Sequence, residues 1–537
     1  MATYTRNNAW SNGGTFDNPD LLWYAKGVGA MQARALNDTS SWWFFGAIHG
    51  EYVTPASTRN PRVFPWSAIP APPAVPTSPL PAQSVINQYW DQCQHQSWYF
   101  PPWHRGYLIA LEAQIRAIVI GLGGPSTWAL PYWDYFGPGQ EYSIPPAFTQ
   151  PKLPDGSPNP LYVAARFGPD SDGKIYVPTP AGEQAHPNDR NFGAGTVTSD
   201  CMTNDLYTGS DSKTDPPGFG GPVTRFSHGG STSGNLENNP HNMVHSYVGN
   251  QSRDGRIPGL MSDPGMAALD PIFYLHHANI DRMWAAWNAN PANVNPTISK
   301  WLNGPTGHGD RAFVMPMPDG TAWTYTPQQM ENLNTLNYVY SSLPNQAPPV
   351  NALAARLVQL GANAVVADRK SPVTADSNME LVGASQAPLQ VKGSGARTTV
   401  KLDPDVRQKV SDSLTTAATT GAPDRVYLHL DGVRGNRDHY VLSVYINLPE
   451  GTKPGEHKEL LAGSVGLFGL SGASWVDGEH GGAGLNFVLN ITPIVDALHL
   501  QNALASNSID VTISPQQAIR DDADISIDRV SIYRHAQ

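Results

Sequence analysis

Histidine shows the clearest chemical pattern in this chain of 537 residues, which contains 16 histidines and only two cysteines. His241 and His245 lie four positions apart. If that segment is helical, both imidazoles lie on one face and can reach one metal ion. Pro240, directly before them, is typical of the first turn of a helix. Taken alone, however, such a pair is more often a packed or solvated helix face than a metal site.

Three further histidine segments lie among aromatic residues. His95 and His104 belong to CQHQSWYFPPWHR, His49 ends the run WWFFGAIH, and His276 and His277 lie in DPIFYLHHANIDR. These segments contain no cysteine pair, and none of the Asp or Glu residues around them is a candidate ligand. All-imidazole sites suit copper or zinc. Two sets of three imidazoles would leave each metal an open position. Copper is favoured because it can pass electrons to O2, whereas zinc has no redox chemistry.

Helices are the elements expected to position these histidines. Apolar residues recur at helical spacing over 21–36, and the apolar run 106–120 predicts a buried helix closed by a glycine-rich breaker. The segment 270–288 begins with Asp-Pro, a pair typical of a helix start. Proline-rich stretches at 65–81 and 145–160 predict long loops. We therefore predict a mainly α catalytic domain, a helical bundle with long loops around a binuclear copper site.

The C-terminal part of the chain has a different pattern. Fourteen of the fifteen tryptophans precede residue 342, and only Trp475 follows it. Four later segments alternate apolar and polar residues, as strands do: 425–430, 440–448, 485–491 and 525–533. Clusters of turn-forming residues bound these segments. We predict a catalytic domain at 1–342, a linker at 343–394 and an all-β domain at 395–537, either an antiparallel sandwich or a barrel. One continuous domain with an uneven aromatic distribution is the alternative.

Composition and charge exclude several classes of function. The net charge is −11 and Lys and Arg are not clustered, which argues against nucleic acid as a partner. No run of about 18 apolar residues occurs, so we expect no membrane span. The sequence after Met1 lacks an apolar signal core, which favours a cytoplasmic location. The sequence leaves open whether the protein forms a homo-oligomer.

The order of the histidine motifs resembles the tyrosinase / polyphenol oxidase family of type-3 copper proteins. The motifs are His49, CQHQSWYFPPWHR, ENNPHNMVH and DPIFYLHHANIDRMW, and the match extends over about 6–340. The resemblance implies two copper ions, with O2 as the co-substrate. The implied ligands are three histidines for each copper: His49, His95 and His104 for one, and His241, His245 and His277 for the other. His276 is then a packed or hydrogen-bonded neighbour.

Further residues acquire roles from the same resemblance. Cys93 matches a cysteine that many fungal members link by a thioether to the histidine two positions later, here His95; a free buried cysteine is the alternative. Glu237 and Asn242 resemble the carboxylate and amide that hold a water able to deprotonate phenols, although each could be an ordinary helix residue. Phe273 resembles the aromatic gate over the site, with a core phenylalanine as the alternative.

The family often carries a C-terminal domain that covers the active site and inserts a side chain over the coppers. In this chain the loop 463–484 is the candidate for that role, and an ordinary strand pair fits it equally well. Three side chains are candidates for the inserted plug: Leu467, Phe468 and Trp475. Arg6 and the motif Tyr338-Val-Tyr340 resemble structural marks of the catalytic domain and support a boundary near 342.

The function implied is that of a tyrosinase, which uses O2 to ortho-hydroxylate monophenols and to oxidise o-diphenols to o-quinones. Its partners would be small phenols and O2, and the enzyme would be latent until the C-terminal domain is displaced. Asn242 favours activity on monophenols. Two alternatives remain: a catechol oxidase without monophenol activity, and a haemocyanin-like oxygen carrier. A zinc hydrolase fits the motifs poorly.

Overall fold

The computed structural model describes residues 3–168, 175–180, 196–209, 216–226, 231–344, 379–420, 423–478, 480–501 and 503–536. Within these residues the apolar side chains form two cores. The larger core is rich in tryptophan, tyrosine and phenylalanine and lies almost entirely in the N-terminal part, up to Tyr340. The smaller core is built from Val, Leu and Ile side chains of the C-terminal part. Val441 and Phe468 come from the C-terminal part but pack in the larger core.

Helices joined by long loops form the N-terminal part, as predicted. They are α1 (Pro19–Gln32), α2 (Trp42–His49), α3 (Gln83–Tyr89), α4 (Phe100–Gly121), α5 (Met243–Gly249), α6 (Ile272–Ala289), α7 (Ser299–Leu302), α8 (Pro327–Met330) and α9 (Leu333–Leu336). Helix α4 begins six residues earlier than the pattern suggested, because Pro101 and Pro102 occupy its first turn, where a backbone N–H has no helical partner. Every residue of α2 is buried, so it shows no polar face and no helical period in sequence.

Two small pairs of strands complete the N-terminal part. Strand β1 (Tyr4–Arg6) lies parallel to β4 (Tyr338–Tyr340), and β2 (Phe313–Pro316) forms an antiparallel pair with β3 (Ala322–Tyr325). In the first pair Arg6 is opposite Tyr340, so the structure brings together the N-terminal arginine and the Tyr-x-Tyr motif.

A buried ionic cluster lies beneath that strand pair. The Arg6 guanidinium donates to Glu112 at 2.7 Å and to Asp281 at 3.2 Å, and the hydroxyl of Tyr338 donates to Asp281 at 2.6 Å. Arg105 forms a further buried ion pair with Asp281. Since Arg105 belongs to α4 and Asp281 to α6, the cluster ties together two helices that carry candidate metal ligands.

One antiparallel sheet organises the C-terminal part. Its strands are β5 (Met379–Ala384), β6 (Leu389–Val391), β7 (Ala396–Leu402), β8 (Arg425–Arg434), β9 (Val441–Ile446), β10 (Leu461–Gly466), β11 (Leu485–Asn490), β12 (Ser508–Pro515) and β13 (Ile525–His535). They follow the order β10-β9-β12-β7-β5-β13-β8-β11, and β6 also pairs with β13. A Cβ at Gly463 of β10 would lie 3.0 Å from Leu489 of β11, so the two ends of the sheet meet and the sheet is nearly closed.

The structure differs from the expectations in three places. Strands β5 and β6 fall inside the predicted linker 343–394, so the sheet begins earlier than expected; residues 345–378 of that linker lie outside the described residues. Strand β8 extends to Arg434, four residues beyond the predicted segment 425–430, with Gly432 at a φ of 62°. Helices α10 (Pro404–Thr420), α11 (Leu470–Ala473) and α12 (Thr492–Leu500) were not predicted. No described helix has the length and apolar character needed to span a membrane.

Candidate metal centre

The first group of candidate ligands is assembled from three separate segments. His49 is the last residue of α2, His95 lies in the loop before α4, and His104 lies in the first turns of α4. One ring nitrogen from each of these three histidines and the sulfur of Cys93 lie within 4.8 Å of one another. All four side chains are buried.

The second group comes from two adjoining helical segments and from α6. A wide helical turn, Glu237–Asn242, leads directly into α5 and carries His241, while His245 lies within α5. The predicted helix is thus present, but Asn239 interrupts it with extended backbone angles (φ −145°, ψ 116°). The rings of His241 and His245 are 4.5 Å apart. His276 and His277 of α6 complete this group, with one ligand atom from each of its four members within 4.8 Å of the others.

The two groups face each other. The ring of His277 stacks on His104 at a centroid distance of 4.3 Å and an interplanar angle of 11°, and His241 lies 5.7 Å from His95. His276 instead stacks on His241 at 5.3 Å and lies against Tyr135. Both adjacent histidines therefore border the second group, but it is His277 that lies against His104 of the first.

Hydrogen bonds donated by Nδ1–H fix the orientation of four candidate ligand rings. The acceptors lie 2.7–2.9 Å away: Pro264 O for His49, Phe100 O for His104, Met261 O for His245, and Asn242 Oδ1 for His241. A neutral imidazole that donates from Nδ1 keeps its lone pair on Nε2. Metal-bound histidines are usually held this way, by a second hydrogen bond that sets the tautomer.

Burial keeps these imidazoles neutral and ready to bind a metal. It lowers the pKa of His241, His245 and His277 well below the ordinary value of 6.5, and the neighbouring histidines lower it further. The Nε2 atoms of His241 and His277 face each other at 3.2 Å. The Nε2 atom of His245 is buried and makes no hydrogen bond to any described residue. A cation coordinated by these nitrogens would satisfy their lone pairs.

The chemistry of the donors matches copper. Among the described residues, both groups consist of imidazoles, with one thiol in the first and no carboxylate in either. Imidazole-rich sites suit copper and zinc, whereas Mg, Ca and Mn are bound through oxygen.

Cys93 lies against His95, two positions later in the chain. Its sulfur is 3.6 Å from each ring nitrogen of His95, so it is equally close to both and not aimed at one of them. It is also 3.4 Å from His104 Nε2. Burial, together with the nearby Glu237 carboxyl, raises the pKa of the Cys93 thiol well above its ordinary value. A buried thiol of this kind is not available to solvent as a thiolate.

Glu237 and Asn242 lie beside the second group, one at each end of the wide turn. Both carboxylate oxygens of Glu237 accept from the backbone N–H of Gln96 at 2.9 Å, and burial raises the pKa of Glu237 to about 8. Asn242 accepts from His241, and its Nδ2 donates to the hydroxyl of Ser233 at 3.3 Å. Ser233 also hydrogen-bonds to Glu237. Sequence reasoning missed Ser233, because an isolated serine before a helix looks like an ordinary cap.

The three plug candidates point in different directions. Phe468 stacks on His245 at 4.1 Å with an interplanar angle of 23°, and meets His95 and His241 edge-on at 5.5 and 5.8 Å. It is only 1% exposed. Leu467 packs in the core of the C-terminal sheet, and Trp475 is half-buried. Of the three, Phe468 is therefore the side chain found against the histidines.

Phe273 lies on the other side of the site. Its ring is 4.2 Å from His277 and 4.8 Å from His49, and it also packs against Tyr107 and Tyr274. The side chain is fully buried. Both interpretations of the sequence, a gate and a core phenylalanine, remain predictions.

A buried carboxyl pair between the two parts of the chain was also missed. Burial, together with the charge of Asp438, raises the pKa of Asp263 to about 8. Burial raises the pKa of Asp438 to about 6. The hydroxyl of Tyr52 donates to Asp263. The two aspartates are 175 positions apart, and no motif could have connected them.

Comparison with known proteins identifies the family. A family model described as the common central domain of tyrosinase matches residues 39–290, and a model described as a domain of unknown function matches 378–535. The chain is 30% identical to tyrosinase HcTyr1 of Hahella sp. (strain CCB-MM4) over 524 residues, covering 96% of each protein. This chain belongs to the tyrosinase family. Copper is the metal of the family, and the two histidine groups suit a binuclear copper centre.

More distant tyrosinase relatives agree with this assignment. The latent form of chloroplastic polyphenol oxidase from Prunus armeniaca is 30% identical over 39% of this chain and 32% of that protein. The structure of latent apple tyrosinase superimposes with a TM-score of 0.59 at 19% identity, covering 100% of this chain and 98% of that one. The likeness confirms the predicted fold, a helical catalytic part followed by a β domain.

Proposed function

We propose that this protein is a tyrosinase that ortho-hydroxylates monophenols and oxidises o-diphenols to o-quinones. Its membership of the tyrosinase / polyphenol oxidase family already makes it a copper oxidoreductase. The observation that carries the proposal is the close approach of the two histidine groups, with His104 and His277 stacked at 4.3 Å. In this assignment one copper is held by His49, His95 and His104, and the other by His241, His245 and His277.

The bound coppers supply the electrons that reduce O2 and the position at which a phenol is oxidised. The protein has to remove the phenolic proton, because an ordinary phenol with a pKa of about 10 is protonated at neutral pH. A water held by Glu237 and Asn242 is the proposed base, and Glu237 accepts the proton. The Glu237 carboxylate is buried and is held in place by the backbone N–H of Gln96 at 2.9 Å, which supports this role.

Substitution of Asn242 tests activity on monophenols. In the copper-loaded Asn242→Gly variant we expect monophenol turnover to fall much more than diphenol turnover, because the proposed role of the base is to remove the proton of the monophenol. Copper content, measured in parallel, controls for loss of metal through the His241 contact. Equal losses with both substrates would contradict the role of Asn242.

The wild-type protein decides between tyrosinase and catechol oxidase. Relatives carry both names: the protein from Hahella sp. is called a tyrosinase, and catechol oxidase B of Solanum tuberosum is 32% identical over 39% of this chain. Turnover of diphenols alone would favour a catechol oxidase. Reversible O2 binding without turnover, even after removal of the C-terminal domain, would favour an oxygen carrier.

Phe468 is proposed as the plug that makes the enzyme latent. Its stacking on His245 occupies the space over the second histidine group, and its ring has no hydroxyl that could ligate copper. We expect Phe468→Ala to raise activity before any activating treatment, whereas Trp475→Ala should leave latency unchanged. Activation by the Trp475 substitution alone would assign the plug to that residue.

A thioether between Cys93 and His95 is the remaining proposal for the site. The position of the sulfur, equally close to both ring nitrogens of His95, supports it. Formation of the S–C bond releases two hydrogen atoms to an oxidant, for which O2 is available. Intact-mass measurement after copper loading in air should show this loss, and Cys93→Ser should abolish it.

A further inference from the structure

Ser233 lies between the two residues proposed to handle the substrate proton. It is 7% exposed and precedes the helical segment that begins at Asn235. Its hydroxyl is 3.3 Å from Asn242 Nδ2 and also hydrogen-bonds to Glu237. A hydroxyl has one proton and two lone pairs, so it can donate to the carboxylate while accepting from the amide. One side chain therefore connects both groups.

The contact with Ser233 determines the direction of the Asn242 amide. An asparagine amide can be turned by 180° with little change in shape, which exchanges its oxygen and its nitrogen. With Nδ2 on Ser233, the Oδ1 atom faces His241 and accepts its Nδ1–H at 2.8 Å. The reversed amide would place its N–H groups against that same Nδ1–H. The orientation observed therefore also favours the His241 tautomer that keeps the lone pair on Nε2.

The remaining hydrogen bonds of Glu237 cannot replace this link. They come from the backbone amides of Gln96 and Gly234, which orient the carboxylate but are not bonded to Asn242. Among the described residues, Ser233 is the side chain that hydrogen-bonds to both Glu237 and Asn242. Without its hydroxyl, Asn242 Nδ2 would be left buried and unsatisfied, which costs about 1–3 kcal/mol. The present orientation would then depend on the hydrogen bond from His241 alone.

We propose that Ser233 is a positioning residue for the monophenol reaction, holding the Asn242 amide toward His241 and aligning it with Glu237. This inference rests on the proposed function, because that function gives Glu237 and Asn242 their role in proton transfer. Ser233 acts through these two residues, so its effect falls on the step that needs the base.

The ratio of monophenol to diphenol turnover tests the proposal, because the ratio is independent of the fraction of enzyme whose site is open. In the full-length, copper-loaded protein we expect Ser233→Ala to lower this ratio about 10-fold, and Ser233→Thr, which keeps the hydroxyl, to restore it. Ser231→Ala is the matched control, since that nearby hydroxyl contacts Asn486 and its loss should not change the ratio. A ratio unchanged by Ser233→Ala would overturn the proposal.

Neutron diffraction of copper-free crystals gives a readout that does not depend on activity. We expect Asn242 Oδ1 to accept from His241 in the parent protein and to leave that position in Ser233→Ala. An amide that keeps its orientation in the variant would overturn the inference. A parent enzyme that oxidises no monophenol would refute the proposed function instead, and the neutron comparison would still decide whether Ser233 orients Asn242.

Discussion

The two sides of the metal centre are held together in different ways. On the inner side, α4 and α6 are joined by buried ion pairs, in which Asp281 receives Arg6, Arg105 and the hydroxyl of Tyr338. On the outer side, the C-terminal sheet lies over the histidines through the Phe468 ring and the close approach of Gly466 to Asn242. Removal of one partner from a buried ion pair is costly. The described contacts of the cover are ring contacts, close backbone packing and partly exposed hydrogen bonds, such as the one from Arg62 to Asn436, and contacts of this kind separate more easily. We therefore expect the ligands to stay in place when the proposed cover over them separates.

The largest effect is expected on the inner side. Asp281→Asn leaves the buried guanidinium of Arg105 without its carboxylate and leaves Arg6 with Glu112 alone. We expect it to lower the free energy of unfolding by about 3–5 kcal/mol. Copper content should fall with it, because α4 and α6 carry His104 and His277. Denaturant unfolding and metal analysis measure the two effects.

Asp310→Asn is the matched control for that substitution. Asp310 also pairs with an arginine, but its partner Arg225 has a side chain that is 64% exposed. Exposed pairs contribute about 0–1 kcal/mol, so we expect little change. Equal destabilisation by the two substitutions would show that the buried cluster has no special part in holding the helices.

The next largest effect is expected where the sheet meets the site. Gly466 lies in β10, and a Cβ built on it would be 2.8 Å from the carbonyl oxygen of Asn242. Gly466→Ala should therefore weaken docking by about 1–3 kcal/mol, the usual cost of overpacking, and raise activity before detergent treatment about 10-fold. Gly472→Ala, where a Cβ meets nothing within 4 Å, is the control and should leave latency unchanged.

Docking should also weaken as the pH rises. Asp263 and Asp438 have raised pKa values in the docked structure, about 8 and about 6, against about 4 for an exposed aspartate. Their protonated forms favour docking, so docking is strongest below pH 4 and is progressively lost as the pH rises through about 6 and 8. We expect the ratio of activity before to activity after detergent treatment to rise about 10-fold over this range. The Ser471 hydrogen bonds and the charge of Arg437 stabilise the Asp438 carboxylate and lower its pKa. They therefore reduce the loss of docking that ionisation of Asp438 causes.

Asp438→Asn isolates the contribution of the carboxyl pair. It removes one charge and keeps an oxygen that can accept from the Ser471 N–H. The variant should show a flatter dependence of latency on pH. An unchanged profile would mean that other groups control docking.

The smallest effect is expected at the rim of the interface. Arg62 donates to Asn436 at 2.6 Å across the two parts of the chain, in a position only partly buried. Solvent screening at this partly buried position puts its contribution at the lower end of the usual range, about 0.5–1 kcal/mol. Arg62→Ala should therefore raise activity before detergent treatment only about 2–5-fold. A larger effect than that of Gly466→Ala would show that the rim, and not the centre, holds the cover in place.

Sequence reasoning predicted much of the inner side and less of the outer side. The helices that carry His104 and His277 have long apolar patterns, and each histidine motif lies within one short segment. The sequence therefore predicts both the helices and the motifs. The wide turn at His241 could not, because its geometry depends on the break at Asn239. The choice among Leu467, Phe468 and Trp475 depends on how a loop packs between two cores. Ser233, Asp263 and Asp438 act through contacts between distant segments, which leave no local pattern.

Leu467 and Phe468 are neighbours in the chain but pack in separate cores. If the enzyme is latent as proposed, this packing determines how proteolysis would activate it. Leu467 is fixed in the sheet and Phe468 lies in the catalytic core, so the ring cannot withdraw unless the sheet moves with it. Cleavage between 344 and 379 would cut the connection without removing the sheet. Docking would then change from an intramolecular event, with an effective concentration of order mM, to the association of two separate fragments. A freshly cleaved sample should remain latent when concentrated and become active on dilution.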